Sequence, residues 1–375
     1  AAALCRPDLI AAYPITPQSS VVEHLAEMVH GGRLDSDLVQ VESEHSAMSV
    51  VQGAAAGGGR VFTATSAQGL ALMYEPYFRM STLRLPMVMA IATREMTSPE
   101  SIWSGQQDVM SLREAGWIQL FCDSNQEIVD MIIQGYMLAE DERVLIPVNV
   151  CYDGFYSSHL VERVDVPAQA EVDAFLPPYT LPAKLDPATP QALDPMTPGE
   201  LLMKYRRDHL ESMRAALPVI DEVDGKFAAA FGRSYGGAVD TYKLDDADYA
   251  LVTVGGMTGT ARDVVDEMRA AGIKAGVLKL RFTRPFPELR VREALAHVRA
   301  FAVVDRSVSF GWDAGSMYGE VCAAMGETLA GKAHFSAIGG LGGADISMAH
   351  MASVVKKLAE LDGKAGRHDT LWLMD

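Results

Sequence analysis

Short apolar runs closed by turn residues recur through this chain, each followed by a stretch of helical pattern. No other feature constrains the fold as tightly. Between residues 8 and 165 the runs Leu9–Tyr13, Val39–Val41, Val61–Thr65, Met87–Ala92 and Leu145–Cys151 alternate with helical patterns over 19–30, 45–56 and 125–140. Several runs are apolar on both faces, as strands covered on both sides must be, so the pattern predicts an α/β unit with a parallel sheet. A second such unit starts near residue 248, with strands over 249–254, 275–281 and 300–305 and helices over 260–271, 289–297 and 315–330. Its sheet is also expected to be parallel. Between the units, residues 167–198 hold eight of the 18 prolines. Proline removes backbone donors and blocks helix, so this reads as an extended strap over a surface. Two helices are expected after it, over 199–216 and 218–231. The chain thus divides into 1–166, a connection over 167–245, and 246–375.

Composition narrows the class of partner. A net charge of −17 over 375 residues repels a phosphate backbone and an anionic bilayer, so nucleic acid and membrane are not expected partners. No apolar run reaches the length of a membrane span, and the first residues do not read as a signal peptide. Cys5, Cys122, Cys151 and Cys322 lie far apart and form no Cys-x-x-Cys pair, so neither an iron–sulfur cluster nor a structural zinc is expected on this chain alone. Few, unpaired cysteines suit a reducing cytoplasm.

Candidate chemistry gathers where strands end, because open α/β sheets bind ligands at the carboxyl ends of their strands. Tyr13-Pro14-Ile15-Thr16-Pro17 closes the first strand; it is either a capped turn or a crevice lip that presents the Thr16 hydroxyl. Glu42 and Glu44 precede the helix Ser46–Ala56. They are either N-terminal caps favoured by the macrodipole or a carboxylate aimed into a cleft for proton transfer. Thr65-Ser66-Ala67-Gln68-Gly69 follows a strand and opens a helix, so its polar groups should face the crevice. Arg94 follows another strand, where a guanidinium could hold a carboxylate bidentately. The glycines from Gly53 to Gly59 follow a helix and precede a strand, which is the position of a helix C-cap rather than a phosphate cradle. Gly255-Gly256-Met257-Thr258-Gly259 resembles a loose dinucleotide fingerprint. Its first spacing is wrong, and the next strand ends in Lys279 and Arg281 with no acid for a ribose.

In this order the segments resemble the 2-oxoacid:acceptor oxidoreductases, the family of pyruvate:ferredoxin oxidoreductase. The resemblance rests on Tyr13-Pro14-Ile15-Thr16-Pro17, Ser43-Glu44, Thr65 to Gly69, Gly116-Trp117-Ile118-Gln119 and Asp153-Gly154-Phe155. It continues in Arg281-Phe282-Thr283-Arg284-Pro285-Phe286-Pro287, Asp305-Arg306 and Ser309-Phe310-Gly311. It covers nearly the whole chain and points to the α subunit of the multi-subunit enzymes. It implies a thiamine-diphosphate pyrimidine-binding domain over 1–166 and a transketolase C-terminal-like domain over 246–375. The activity it implies is oxidative decarboxylation of a 2-oxoacid to an acyl-CoA in the cytoplasm of an anaerobic metabolism. Glu44 matches the glutamate that hydrogen-bonds the cofactor's aminopyrimidine ring. Arg94 and Thr16 match residues that hold the 2-oxoacid, and Ser66, Gln68 and Gly69 fall in the stretch lining the cofactor cleft.

The resemblance also implies partners. The chain has no Gly-Asp-Gly with a following asparagine to hold magnesium and diphosphate, and no cluster cysteines. A β subunit with the diphosphate and Mg2+ domain, a γ-type subunit and a ferredoxin-like subunit with [4Fe-4S] clusters are therefore expected, with coenzyme A as co-substrate. One loop departs from the pyruvate enzymes. Where the family has small neutral residues and an Asp-His pair, this chain reads Glu95-Met96-Thr97-Ser98-Pro99-Glu100-Ser101-Ile102-Trp103-Ser104-Gly105-Gln106-Gln107-Asp108, with Gln106 in place of the histidine. Met96, Ile102 and Gln106 are then expected to join Thr16 and Arg94 in the substrate pocket. This puts pyruvate in doubt and leaves open a bulkier substrate such as phenylglyoxylate or a small diacid such as oxalate. Two rivals remain: the β-type subunit of a lipoamide-linked 2-oxoacid dehydrogenase, and a nucleotide-binding electron-transfer subunit using Gly255–Gly259.

Overall fold

A computed structural model describes residues 1–374. The first sheet is built from β1 (Leu9–Ala12), β2 (Asp37–Gln40), β3 (Val61–Thr65), β4 (Val88–Thr93), β5 (Ile118–Phe121) and β6 (Val148–Asp153). Around it lie α1 (Ser19–His30), α2 (Glu44–Ala56), α3 (Ala67–Leu72), α4 (Tyr74–Thr82), α5 (Gln107–Met110) and α6 (Asn125–Ala139). These six strands are parallel, and every residue of β3, β4 and β6 is buried, which is why their sequences are apolar on both faces. The spatial order β5-β6-β4-β3-β1-β2 reverses direction between β1 and β3. That reversal opens a crevice at their carboxyl ends, the usual ligand position of such a sheet.

The connection holds α7 (Gln169–Phe175) and α8 (Gly199–Phe231). The strap is therefore not wholly extended: α7 forms before most of the prolines and packs Phe175 edge-on against Phe227 and Phe231 of α8. Beyond it the chain is irregular and crosses the C-terminus of α2, where Leu185 donates its N–H to the Ala56 carbonyl. The expected break at Pro218 is absent, because 199–231 is one helix of 33 residues. A proline there removes one backbone donor, but Ala216, Val219, Ile220, Val223 and Phe227 are all buried on the same side of the helix. Burial of that stripe outweighs the lost bond.

The second sheet comprises β7 (Val239–Tyr242), β8 (Tyr249–Thr253), β9 (Ala275–Leu280), β11 (Ala300–Asp305), β14 (Ala333–Gly339), β15 (Gly366–Arg367) and β16 (Leu371–Leu373). Its helices are α9 (Met257–Ala270), α10 (Glu288–Leu295), α11 (Tyr318–Met325) and α12 (Met348–Glu360), and β12 (Val308–Ser309) pairs with β13 (Ala314–Gly315) as a small hairpin. The expectation of an all-parallel sheet is corrected at one edge, where β7 runs antiparallel to β9. A second antiparallel pair joins the units: β10 (Phe282–Arg284), just after β9, leaves the second sheet and pairs with β5 of the first. The Arg281-to-Pro287 motif is thus the crossing between the two sheets. Beside it Glu127 of α6 is fully buried and accepts from Lys279 Nζ at 2.6 Å and Arg281 Nε at 2.5 Å. Burial alone would raise this carboxyl, but the two cations outweigh burial and hold it down at about 2. Among the described residues no helix is long and apolar enough to cross a membrane.

Candidate functional site

Four strand ends converge on the crevice at the β1/β3 reversal, and the sequence supplies each with a polar group. After β2, Ser43 caps α2 by accepting the Ser46 N–H at 3.2 Å, which starts the helix at Glu44 rather than at Ser46. This separates the two acids. Glu42 is exposed and accepts the Ser46 hydroxyl at 2.7 Å, while Glu44 is 3% exposed in the first turn. Burial raises the Glu44 carboxyl above its usual range, and a backbone hydrogen bond at the helix start only partly offsets this. A carboxyl so placed is poised to share a proton nearer neutrality.

Gly69 is required by this arrangement. A Cβ on it would stand 2.2 Å from Thr65 Oγ1 and 2.9 Å from both Cγ and Oε1 of Glu44, so only glycine lets α3 approach the carboxylate. The Thr65 hydroxyl is buried there without a hydrogen-bond partner. A buried polar atom left unpaired next to a buried carboxyl is what a site for a hydrogen-bonding ligand would show.

Arg94 lies after β4 and is 4% exposed. Its guanidinium donates to the Thr16 carbonyl at 2.6 Å, to Gln68 Oε1 at 2.7 Å and to Glu100 Oε1 at 3.1 Å, and its Nε is buried with no partner. The structure therefore brings Thr16, Gln68 and Arg94 together, and Gly69, next to Gln68 in α3, lies against Glu44 at the start of α2. Thr16 reaches Arg94 through its carbonyl, and its side chain is exposed. Ser66 is buried, but its hydroxyl is turned to the sheet, donating to the Ala92 carbonyl at 2.7 Å. It ties the loop to β4 and does not face the crevice, contrary to expectation.

The loop from Glu95 to Gly105 carries Glu100, Met96 and Ile102. Glu100 is exposed and accepts from Arg94, Gln68 and Thr97, so a solvent-facing acid occupies part of the guanidinium. Met96 is half-buried and Ile102 is 38% exposed. Gln106 departs from the expected pocket. Its amide points to the second sheet, 3.4 Å from Asp153 Oδ1 and 3.3 Å from the Val254 carbonyl.

That seam accounts for two further motifs. Gly255 has φ of +73°, a conformation side chains disfavour, and Gly256 donates its N–H to Asp153 Oδ2 at 2.7 Å. A Cβ on Gly256 would lie 2.7 Å from that oxygen. The amino end of α9, where a dinucleotide would place its phosphates, is capped by a carboxylate from the first unit instead. Gly53 to Gly59 also behaves as expected, with Gly57 capping α2 and Gly58 following at φ +94°. Among the described residues no group of His, Cys, Asp and Glu is placed to hold a metal ion.

Sequence reasoning passed over Asp108, which it had quoted only as the end of a loop. It is fully buried and accepts the N–H groups of both Ala67 and Arg94 at 3.0 Å. Three backbone amides stabilise its charge, but burial outweighs them and pushes the carboxyl up to about 7. An acid opening a one-turn helix carries no periodic signal that would have marked it.

Comparison with known proteins finds matches over both units. The family described as pyruvate flavodoxin/ferredoxin oxidoreductase, thiamine-diphosphate-binding, matches residues 1–225, and pyruvate:ferredoxin oxidoreductase core domain II matches 247–351. NADH-dependent phenylglyoxylate dehydrogenase subunit alpha of Aromatoleum evansii is 45% identical over 99% of this chain and 91% of its own length. Pyruvate synthase subunit PorA of Methanocaldococcus jannaschii is 44% identical over 100% of this chain and 94% of its own. Among solved structures, 2-oxoglutarate:ferredoxin oxidoreductase from Magnetococcus marinus superposes with a TM-score of 0.68 at 19% identity, a likeness of fold. The match covers 94% of this chain and 62% of that one.

Proposed function

Because the chain belongs to the pyruvate flavodoxin/ferredoxin oxidoreductase family, we propose that Glu44 and Arg94 form its half of an active site completed by a partner subunit. The chain is an α-type subunit of a thiamine-diphosphate-dependent 2-oxoacid oxidoreductase. Thiamine diphosphate, when bound, supplies the nucleophilic carbon and the electron sink for decarboxylation. The residues present fit that cofactor: a buried carboxyl with raised pKa, an unpartnered threonine hydroxyl beside it, and a glycine that keeps the space open.

Each side chain then has a task. Glu44 holds a proton against the aminopyrimidine ring, which a carboxyl well below neutrality would do poorly. Arg94 binds the substrate carboxylate through its spare donors, displacing Glu100, while Gln68 and the Thr16 carbonyl hold the guanidinium in place. Met96 and Ile102 line the side of the pocket that meets the substrate's substituent. Magnesium, diphosphate ligands and the iron–sulfur clusters are supplied by β-, γ- and ferredoxin-like partners, and coenzyme A takes the acyl group. We read 1–166 as the pyrimidine-binding domain, 167–245 as the connection and 246–375 as a transketolase C-terminal-like domain, in a cytoplasmic complex.

The single observation that carries this reading is a buried Glu44, its carboxyl raised by burial, and a buried Arg94 at strand ends of one sheet. The apolar residues of the 95–106 loop favour a 2-oxoacid with a substituent larger than methyl. Screening the purified complex against phenylglyoxylate, pyruvate and oxalate, with coenzyme A and a dye acceptor, tests this. Phenylglyoxylate is expected to give the highest kcat/KM; a clear preference for pyruvate or oxalate would overturn the substrate reading.

A further inference from the structure

Asp108 stands where the two halves of the proposed site meet. Its Oδ2 accepts the Ala67 N–H and the Arg94 N–H, each at 3.0 Å, and its Oδ1 accepts the Val109 N–H at 2.8 Å. The first two donors belong to different strand ends. Ala67 follows β3 and opens the helix that carries Gln68 and Gly69, while Arg94 follows β4. Ala67 is held at φ +39°, a conformation an L-residue rarely adopts, and its buried amide takes Asp108 as its acceptor there. Asp108 itself sits on a fixed mount. On the preceding turn Gln106 donates its N–H to the Arg306 carbonyl at 2.9 Å, and Gln107 Oε1 accepts the Val308 N–H at 2.8 Å, both from the second unit.

We propose that Asp108 is a positioning residue that registers the cofactor-lining turn 66–69 against the substrate-clamping Arg94 through one carboxylate oxygen. The inference rests on the roles given to that turn and to Arg94 above. A shared acceptor couples the two loops, since neither amide can shift without stretching a buried hydrogen bond in a water-excluded site. Asparagine preserves part of this. Its carbonyl oxygen can take both shared donors, but its NH2 then faces the Val109 N–H, donor against donor. Alanine leaves three buried N–H groups unpaired.

The test uses the assembled complex and two readouts, the KM for the 2-oxoacid it turns over and the dissociation constant for thiamine diphosphate with Mg2+. Asp108→Ala should raise both constants about tenfold or more, and Asp108→Asn should raise both by roughly threefold to tenfold. Arg94→Met should raise KM and leave cofactor binding unchanged. If Asp108→Ala lowers the melting temperature but leaves both constants within about twofold, or moves only one of them, the registering role is overturned. Should the alanine variant fail to assemble, unchanged constants in Asp108→Asn overturn it equally. An unchanged KM in Arg94→Met, by contrast, overturns the clamp on which the inference rests, and the registering role with it, whatever Asp108→Ala does to cofactor binding.

Discussion

Arg94 shows how one residue's role was partly legible in sequence. Its place after an apolar strand makes it either a clamp or a surface residue, and its burial rules out the surface and supports the clamp proposed for it. A guanidinium fork matches two carboxylate oxygens, so Arg94→Lys keeps the charge but loses the fork, and Arg94→Met loses both. A charge-assisted pair contributes roughly 1.5–3 kcal/mol, about tenfold to a hundredfold in binding. Steady-state kinetics should therefore show KM rising in both variants, less in lysine than in methionine; an unchanged KM in Arg94→Met contradicts the clamp. Other residues were less legible. Glu42 and Glu44 look alike in sequence, and only the Ser43 cap turns one outward and the other inward. Gln106 was placed in the pocket by its neighbours in the chain, but its amide answers to Asp153 and Val254 across a seam no local pattern reveals.

Elements were legible where the apolar period was long and illegible where tertiary contacts set them. The buried strands β3, β4, β6, β8, β9 and β11 are legible because burial on both faces leaves a nearly continuous apolar run, whereas β5 and β14, equally buried, were missed because Gln119, His334 and Ser336 interrupt theirs. β7 and β10 were missed because they are short, and β10 is defined by a partner more than 160 residues away. Pro218 misled because the local rule is real but the buried stripe of α8 is stronger. The joint around Glu127 belongs to this scale. Glu127→Gln leaves Lys279 and Arg281 buried without their shared carboxylate and should cost about 3–5 kcal/mol in denaturant unfolding. Because the folded pKa is depressed to about 2 from 4.5, this contribution is fully present above about pH 4.5 and is lost as pH falls toward 2. The wild-type advantage over Glu127→Gln should therefore be constant from neutrality down to about pH 5 and shrink below it. A loss of less than about 1 kcal/mol at neutral pH would mean that Asp123 and the Gly237 carbonyl satisfy the two cations unaided.

For the whole molecule, the two sheets are joined by β10, which follows β9 of the second sheet and pairs with β5 of the first, by the Glu127 joint and by the Asp153 cap on α9. We read the proposed site as half of one, because the sequence carries no Gly-Asp-Gly run with a following asparagine to hold magnesium and diphosphate. Calorimetry on the isolated chain should accordingly show no strong thiamine diphosphate binding, and addition of the partner subunits should restore it. Micromolar binding by the chain alone would contradict a shared site. The most direct test of the central claim is turnover of the reconstituted complex carrying Glu44→Gln. Glutamine fills the same space but cannot pass the proton, and general acid–base participation is typically worth ~10²–10⁴-fold. The account predicts a complex that assembles and retains cofactor with turnover reduced by at least about a hundredfold. Turnover within about tenfold of wild type would contradict it.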